Sequence, residues 1–461
     1  MRDVSGSTDI IYGLHDRPEP IRATFAALQH VLASFIGIIT PTLIIGGVLG
    51  LGSEVPYLIS MALIVSGVGT FIQARRIGPV GSGLLCVQGT SFAFLASILA
   101  AGFMVKGNGG TPGDILAMIF GICALGSFVE IALSFFIEKL KRVITPIVTG
   151  IVITIIGLSL IKVGMTDLAG GFGAEDLGAP RNLAVGGTVL VTVVILNRFH
   201  NPMIRLSAIM IGMAAGYVVA LFLGMVDFSK VADVPAVSLP IPFKYGFDFD
   251  FAVFIPIAII YVVTAIETAG DLTANSMVSN QPVEGPVYIE RIKGGVLGDG
   301  VNSLIAATFN TFPNTTFSQN NGVIQLTGVA SRYVAYYIAG LFVLLGVFPI
   351  IGAVLQTLPK PVLGGATLVM FGTVAAAGIR IIASADLDRR DLLIMAVSFG
   401  LALGVASVPE VTSTFPELLK SIFGSSVTVG GLSAIILSLV LHHDHPAQGD
   451  TTEDAGMDAD L

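Results

Sequence analysis

The sequence predicts an all-α polytopic membrane protein of fourteen transmembrane segments, and three observations carry that expectation. Hydrophobic residues make up 54% of the 461-residue chain and charged residues only 12%, whereas the surface of a soluble domain needs roughly a quarter or more of its residues charged. Mean hydropathy is +0.88, and the apolar residues fall into runs of about twenty, the length that crosses a ~30 Å hydrocarbon core. Finally, two polar breaks occupy corresponding places in the two halves of the chain, as in membrane folds built from repeats.

The apolar windows are 25–48, 55–73, 86–103, 113–137, 143–164, 183–197, 204–226, 251–270, 293–309, 316–330, 333–352, 361–382, 390–406 and 424–441. An even number puts both termini on one side. With the termini inside, sixteen of the 23 Lys and Arg residues fall on the inner segments, so the positive-inside rule predicts cytoplasmic termini in the cell (inner) membrane. Residues 1–24 read as a cytoplasmic N-terminal segment without the apolar core of a cleavable signal peptide. Residues 443–461 read as a solvated cytoplasmic tail. That tail carries Asp444, Asp450, Glu453, Asp454, Asp458 and Asp460 with no Lys or Arg, so the net charge of −8 resides mostly there. The remainder is nearly neutral and gives no reason to expect nucleic acid as a partner. Cys86 and Cys123 lie in apolar runs and read as small hydrophobes, not as a disulfide.

Fourteen spans divide into two sevens, and an odd-numbered half inserts its copy upside down, as an inverted repeat. Pro146, Gly150 and Gly157 in the fifth window recur 215 positions on as Pro361, Gly365 and Gly372 in the twelfth. The third window of each half contains a polar break, Val87-Gln88-Gly89-Thr90-Ser91-Phe92 in one and Thr316-Phe317-Ser318-Gln319-Asn320-Asn321-Gly322 in the other. Around Pro313 the run NTFPNTTFSQNN removes a backbone donor and competes for backbone hydrogen bonds. Irregular backbone at membrane depth survives only where protein or a water-filled cavity satisfies it, so the paired breaks point to a substrate site at the midplane. The alternative for the second break is an extramembrane loop.

Ionisable residues inside the apolar windows are His30, Glu130, Glu267, Asp271 and Asp299, each a functional candidate because it is expensive in lipid. Glu267 and Asp271 are four apart on one helix face, and carboxylates that close repel unless one carries a proton, as a proton-coupled carrier requires. For Asp271 a helix-end role is the alternative; for Glu267, a structural hydrogen bond. Asp299 lies among glycines that admit a neighbouring backbone, and a structural bridge to the break is its alternative. His30 is as readily a satisfied structural histidine as a proton relay, and Glu130, with only serines for polar company, reads as structural. No phosphate loop, CxxC, HExxH or GxSxG occurs, so neither an enzyme nor a cofactor or metal site is expected.

The run Gln319-Asn320-Asn321-Gly322-Val323-Ile324-Gln325-Leu326-Thr327-Gly328 resembles the signature of the nucleobase–ascorbate transporter family, or nucleobase:cation symporter type 2. Gln29-His30, GTSF at 89–92, the Glu267–Asp271 segment and GGVLGDGVNS at 294–303 resemble further landmarks of that family, in order. The resemblance implies a uracil-permease-like fold with short antiparallel strands in spans 3 and 10. It implies a core domain from 25–137 and 251–352, a gate domain from 138–250 and 353–442 that carries a homodimer contact, and an elevator-like movement of one against the other. It implies that Glu267 and Gln319 hydrogen-bond a base, that backbone N–H groups near Phe92 and Ser318 assist, and that Phe317 lies near the ring. Ser91 is implied as a selectivity position, and Asp299, His30, Asp271 and Asn320 as site support or proton path. Gln-Asn at 319–320 is similar to the bacterial xanthine/urate permease branch, whereas Gly328 departs from the Arg or Lys at the motif end of many members. The implied function is proton-coupled purine symport. A broader carrier that also takes guanine or hypoxanthine, and an anion transporter of similar fold, are the alternatives.

Overall fold

In the computed structural model, residues 10–441 are described apart from 141–144, 172–173, 200, 202–203, 206, 228–236, 384, 386, 417–418 and 420–421. The acidic tail 443–461 and the first nine residues lie outside the described residues. The principal helices are α1 (Pro20–Leu49), α2 (Val55–Arg75), α3 (Leu95–Gly107), α4 (Pro112–Ser134), α5 (Pro146–Leu168), α6 (Pro180–Asn197) and α7 (Ala208–Phe222), followed by α8 (Phe251–Val278), α9 (Gly285–Thr308), α10 (Gln319–Thr327), α11 (Arg332–Val347), α12 (Lys360–Ala383), α13 (Arg389–Ser407) and α14 (Ser426–Val440). Among the described residues eight helices are long and apolar enough to cross a membrane, or nine if α11 and the short helix beyond its 75° bend form one span. Helices α3, α7 and α14 are apolar but shorter. This is a helical membrane protein.

Local sequence sets where the helices begin. Pro20, Pro112, Pro146 and Pro180 open α1, α4, α5 and α6, where a missing N–H costs nothing and the fixed φ is already helical. Thr111 and Asp114 cap α4 reciprocally, as do Asp388 and Asp391 for α13, satisfying amides that the first turn leaves without partners. Two boundaries differ from the hydropathy windows. Helix α8 continues past 270 to Val278 and α9 starts at Gly285 rather than 293, because Asp271, Asn275 and Ser276 are buried against protein and hydropathy cannot distinguish that from solvent. Asp271 is therefore inside a helix, which removes the helix-end alternative.

The helices pack in a regular pattern. Helix α5 lies along α12, α2 on α11, α9 on α4, α1 against α11, α8 against α4, α6 on α7 and α13 on α14. Adding seven to each first-half label, and subtracting seven from each second-half label, converts these pairs into one another. Helices α5 and α12 run antiparallel and nearly touch: a Cβ on Gly150 would lie 2.8 Å from the Gly378 oxygen, and one on Gly157 would lie 2.7 Å from the Phe371 oxygen. Val191, Val194 and Ile195 on α6 and Leu392, Leu393 and Leu401 on α13 are exposed, a large apolar surface suited to lipid and not to water.

The described part of the N-terminal segment is docked onto the second half of the chain. The Ile11 and Tyr12 N–H groups donate to the Gly328 oxygen at 2.8 and 3.1 Å, and the Ala330 N–H donates to the Tyr12 oxygen at 2.9 Å. Gly328 ends α10 at φ +66°, a left-handed conformation that glycine adopts without the strain an arginine or lysine would carry there.

The α5–α12 approach generates a stability prediction. A side chain at Gly378 would meet the Thr154 nitrogen at 2.5 Å and the Gly150 oxygen at 2.7 Å, and overpacking against backbone typically costs about 1–3 kcal/mol. Gly378→Val should lower the melting temperature of the solubilised protein by several degrees. Gly372→Ala, with nothing within 4 Å of its Cβ position, should leave it unchanged or slightly raised.

Candidate substrate site

The two polar breaks meet. Strand β1 (Gln88–Thr90) pairs antiparallel with β2 (Asn314–Thr316), in the register Gln88–Thr316, Gly89–Thr315 and Thr90–Asn314. The ladder continues at both ends, with the Ser91 N–H on the Pro313 oxygen at 2.8 Å and the Phe317 N–H on the Val87 oxygen at 3.0 Å. Each broken segment thus satisfies the other's backbone, as burial in an apolar phase demands. Asn314, Thr315 and Thr316 are all buried, so the second break is a strand packed inside the protein and not an exposed loop.

Each strand feeds a half-helix, β1 into α3 and β2 into α10, and the residues that lead into both half-helices line one cavity of about 100 Å³. That is room for several waters. Ser91, Phe92, Phe317, Ser318, Gln319 and Glu267 all line it. Neither the Phe92 nor the Ser318 backbone N–H donates to another group among the described residues. Two helix N-termini therefore present free donors and positive dipole ends to one space. The opposite wall is mostly apolar, with Ile156 and Leu160 of α5, Ile209 of α7, and Met370 and Phe371 of α12, and Thr373 of α12 as its hydroxyl. The Phe371 and Phe92 rings meet edge to face across the seam, with centroids 5.2 Å apart.

Behind this wall lies a buried polar layer. Thr268 donates to Asp299 Oδ2 at 2.5 Å and sits 3.3 Å from the Thr315 hydroxyl. Thr316 donates to Asp271 Oδ2 at 2.8 Å, and Asn320 Nδ2 lies 2.9 Å from His30 Nδ1. Asn275 Nδ2 donates to the Leu85 oxygen and to Asn321 Oδ1, both at 2.8 Å, and Asn321 donates to the Asp271 oxygen at 3.2 Å. Asp299, Asp271, His30 and Asn320 are thus brought to the strands without lining the cavity. Glu130 is buried on α4 with Thr264 at 3.5 Å, away from the cavity lining. The described residues include no cluster of three or more His, Cys, Asp or Glu suited to a metal, and Cys86 and Cys123 are free.

Sequence reasoning missed Thr268, Thr315 and Thr316, whose hydroxyls connect strands to carboxylates, and Asn275. For Thr268 and Asn275 the signal was present as hydroxyl and amide residues at helical spacing around Glu267 and Asp271; Thr315 and Thr316 lay within the run around Pro313 itself. The apolar wall gave none, because Ile156, Met370 and Phe371 look like any lipid-phase residues.

Known proteins give this arrangement a context. The profile of the permease family Xan_ur_permease matches residues 22–411. The chain is 46% identical to the xanthine permease XanP of Escherichia coli K12 over 439 residues, 94% of this chain and 95% of that protein. It is 46% identical to the xanthine permease XanQ of the same organism over 446 residues, 96% of each. Among solved structures, the transmembrane domain of the cyanobacterial bicarbonate transporter BicA superposes with a TM-score of 0.50 at 17% identity, covering 93% of this chain and 99% of that one. The murine anion transporter Slc26a9 superposes with a TM-score of 0.56 at 13% identity, covering 92% and 68%. These two share the fold.

The buried amide of Asn275 generates a prediction independent of any ligand. Asn275→Ala leaves the Leu85 oxygen and the Asn321 amide without this donor in a buried site, which typically costs about 1–3 kcal/mol. The variant should reach the membrane and melt several degrees below the parent in a thermal-shift assay.

Proposed function

This chain belongs to the nucleobase–ascorbate transporter family, and from that premise we propose that it is a secondary active transporter that carries a purine nucleobase, xanthine or urate, together with protons. The observation that carries the substrate assignment is the convergence of Glu267, Gln319 and two half-helix N-termini on one cavity. A purine-dione presents alternating N–H and C=O groups on a planar edge. The Glu267 carboxylate accepts from a ring N–H, the Gln319 amide donates and accepts, and the free Phe92 and Ser318 N–H groups donate to carbonyl oxygens. Phe371, Phe92 and the aliphatic wall enclose the faces of the base. The XanP and XanQ relatives are xanthine permeases, which supports the same substrate class here.

Proton coupling follows from the carboxylates. Asp299 Oδ2 accepts the Thr268 hydroxyl while Oδ1, also buried, has no hydrogen-bond partner among the described residues, so a proton on Oδ1 leaves the bond to Thr268 intact. Asp299 is the leading proton carrier in this reading, and Glu267, near Asp271 and Asp299, is its rival as part of a coupled group. Asn320 and His30 hold the start of α10 against α1, and Ser91 tunes selectivity at the cavity wall.

In the same reading all fourteen helical segments cross or re-enter the bilayer as two inverted repeats of seven. The pairwise exchange of helix contacts and the antiparallel α5–α12 pair support it. The core domain (25–137 and 251–352) carries the polar face of the cavity and the gate domain (138–250 and 353–442) the apolar one. Transport is an elevator-type displacement of core against gate, in a homodimer of the inner membrane with both termini cytoplasmic.

Uptake of labelled xanthine, urate, uracil and bicarbonate by a transport-deficient host tests the assignment. Xanthine or urate should accumulate and bicarbonate should not; bicarbonate uptake without purine uptake would overturn it. Glu267→Ala should remain in the membrane and bind purine at least tenfold more weakly, since losing a charged hydrogen-bond partner costs at least about 1.4 kcal/mol.

The coupling step has its own test in vesicles with an imposed pH gradient. Asp299→Asn keeps the shape of the side chain but cannot titrate. It should bind base and lose proton-driven accumulation; undiminished accumulation by the variant would exclude Asp299 as the carrier.

A further inference from the structure

Phe317 follows β2 and stands immediately before the two residues that open α10, and its ring lines the cavity only at its edge, being 6% exposed. The rest of the ring lies between two glycines from different elements. A Cβ on Gly37 of α1 would stand 2.7 Å from Phe317 Cε1 and 3.4 Å from Cζ, and a Cβ on Gly89 of β1 would stand 2.5 Å from Cε2 and 2.6 Å from Cζ. Neither side has space for a methyl group. The same Gly37 position lies 3.3 Å from Gln319 Nε2, so one missing side chain on α1 admits both the ring and the amide.

The Gln319 amide has no hydrogen-bond partner among the described residues. The side chain is exposed to the cavity, and what limits it on one side is α1 at Gly37, with its backbone leading from the clamped Phe317. A site that reads donors and acceptors tolerates little displacement, because misplacement by about 1 Å can cost on the order of 100-fold in rate.

We propose that Gly37 and Gly89 form a slot that clamps the Phe317 ring, and that Gly37 is thereby a specificity-determining positioning residue that sets the pose of the Gln319 amide toward the purine. This rests on the substrate reading given above. Alanine is the stronger helix former, so Gly37→Ala does not weaken α1 itself. Its expected effect comes from the added methyl displacing Phe317 and Gln319. Shortening the ring removes the obstacle, so Phe317→Leu should compensate for Gly37→Ala.

The test is a double-mutant cycle on the full-length protein: wild type, Gly37→Ala, Phe317→Leu and the pair, each read by two measurements. The first is the melting temperature without ligand. Gly37→Ala should lower it by several degrees and the pair should recover most of that loss. The second is the ratio of affinities for xanthine, urate and hypoxanthine in purified protein. Gly37→Ala should change at least one ratio tenfold or more, and the pair should return it to within about threefold of Phe317→Leu alone. Additive melting temperatures would overturn the slot. A coupled melting cycle with unchanged ratios would overturn the specificity role. Wild type that binds no purine would overturn the substrate reading, while the melting cycle would still decide the slot.

Discussion

The structure depends on one constraint: a backbone N–H or C=O without a partner is too costly inside a bilayer. Two helices that break at membrane depth violate that constraint separately and satisfy it together. Three residues of each break pair across the protein and the ladder extends one bond further at either end. Because the pairing is antiparallel, the strands hand over to α3 and α10 from opposite directions, and the two half-helices begin beside the same cavity. The free donors at Phe92 and Ser318 are a by-product of solving the backbone problem, and they face a cavity enclosed by protein.

The second consequence is a division of labour between two walls. Strands and half-helices hang on α1, α8 and the polar layer behind them, where Thr268, Thr316 and Asn275 each bind a group on another segment. The facing wall belongs to α5 and α12, whose glycines allow backbone to approach backbone and whose cavity-facing residues are mostly aliphatic or aromatic, with Thr373 as the exception. One wall reads hydrogen bonds and the other supplies shape. A cavity on such a seam loses few polar contacts if the walls slide, because almost all of its polar groups travel with one of them.

Most of this was legible in the residue pattern, and for identifiable reasons. Helices were visible because lipid demands long apolar runs, and their starts because Pro112, Pro146 and Pro180 mark first turns. The breaks were visible because Pro313 and its Asn and Thr neighbours have no other use at that depth, and Glu267 because an isolated carboxylate in an apolar run is conspicuous. The ends of α8 and α9 were not visible, since a buried Asn275 and an exposed one have the same hydropathy. Nor was the apolar wall: Met370 and Phe371 differ from lipid-facing neighbours only in what they touch. The docking of Ile11 and Tyr12 on Gly328 lacks a sequence signal altogether, because it uses backbone atoms that every residue carries.

The fold by itself leaves the cargo open, as a bicarbonate transporter with the same architecture illustrates. Two helix N-termini aimed at one cavity favour any ligand rich in acceptors, a small anion included. Glu267 alters that preference: a carboxylate on the cavity wall repels a ligand that only accepts and attracts one that also donates. Gln319, able to do both, favours in the proposed reading a ligand that alternates donor and acceptor along an edge. In the proposed reading, Glu267 and Gln319 turn a backbone otherwise suited to anions toward a ligand that also donates. Substituting those side chains should move the protein between substrate classes more readily than any change to its helices.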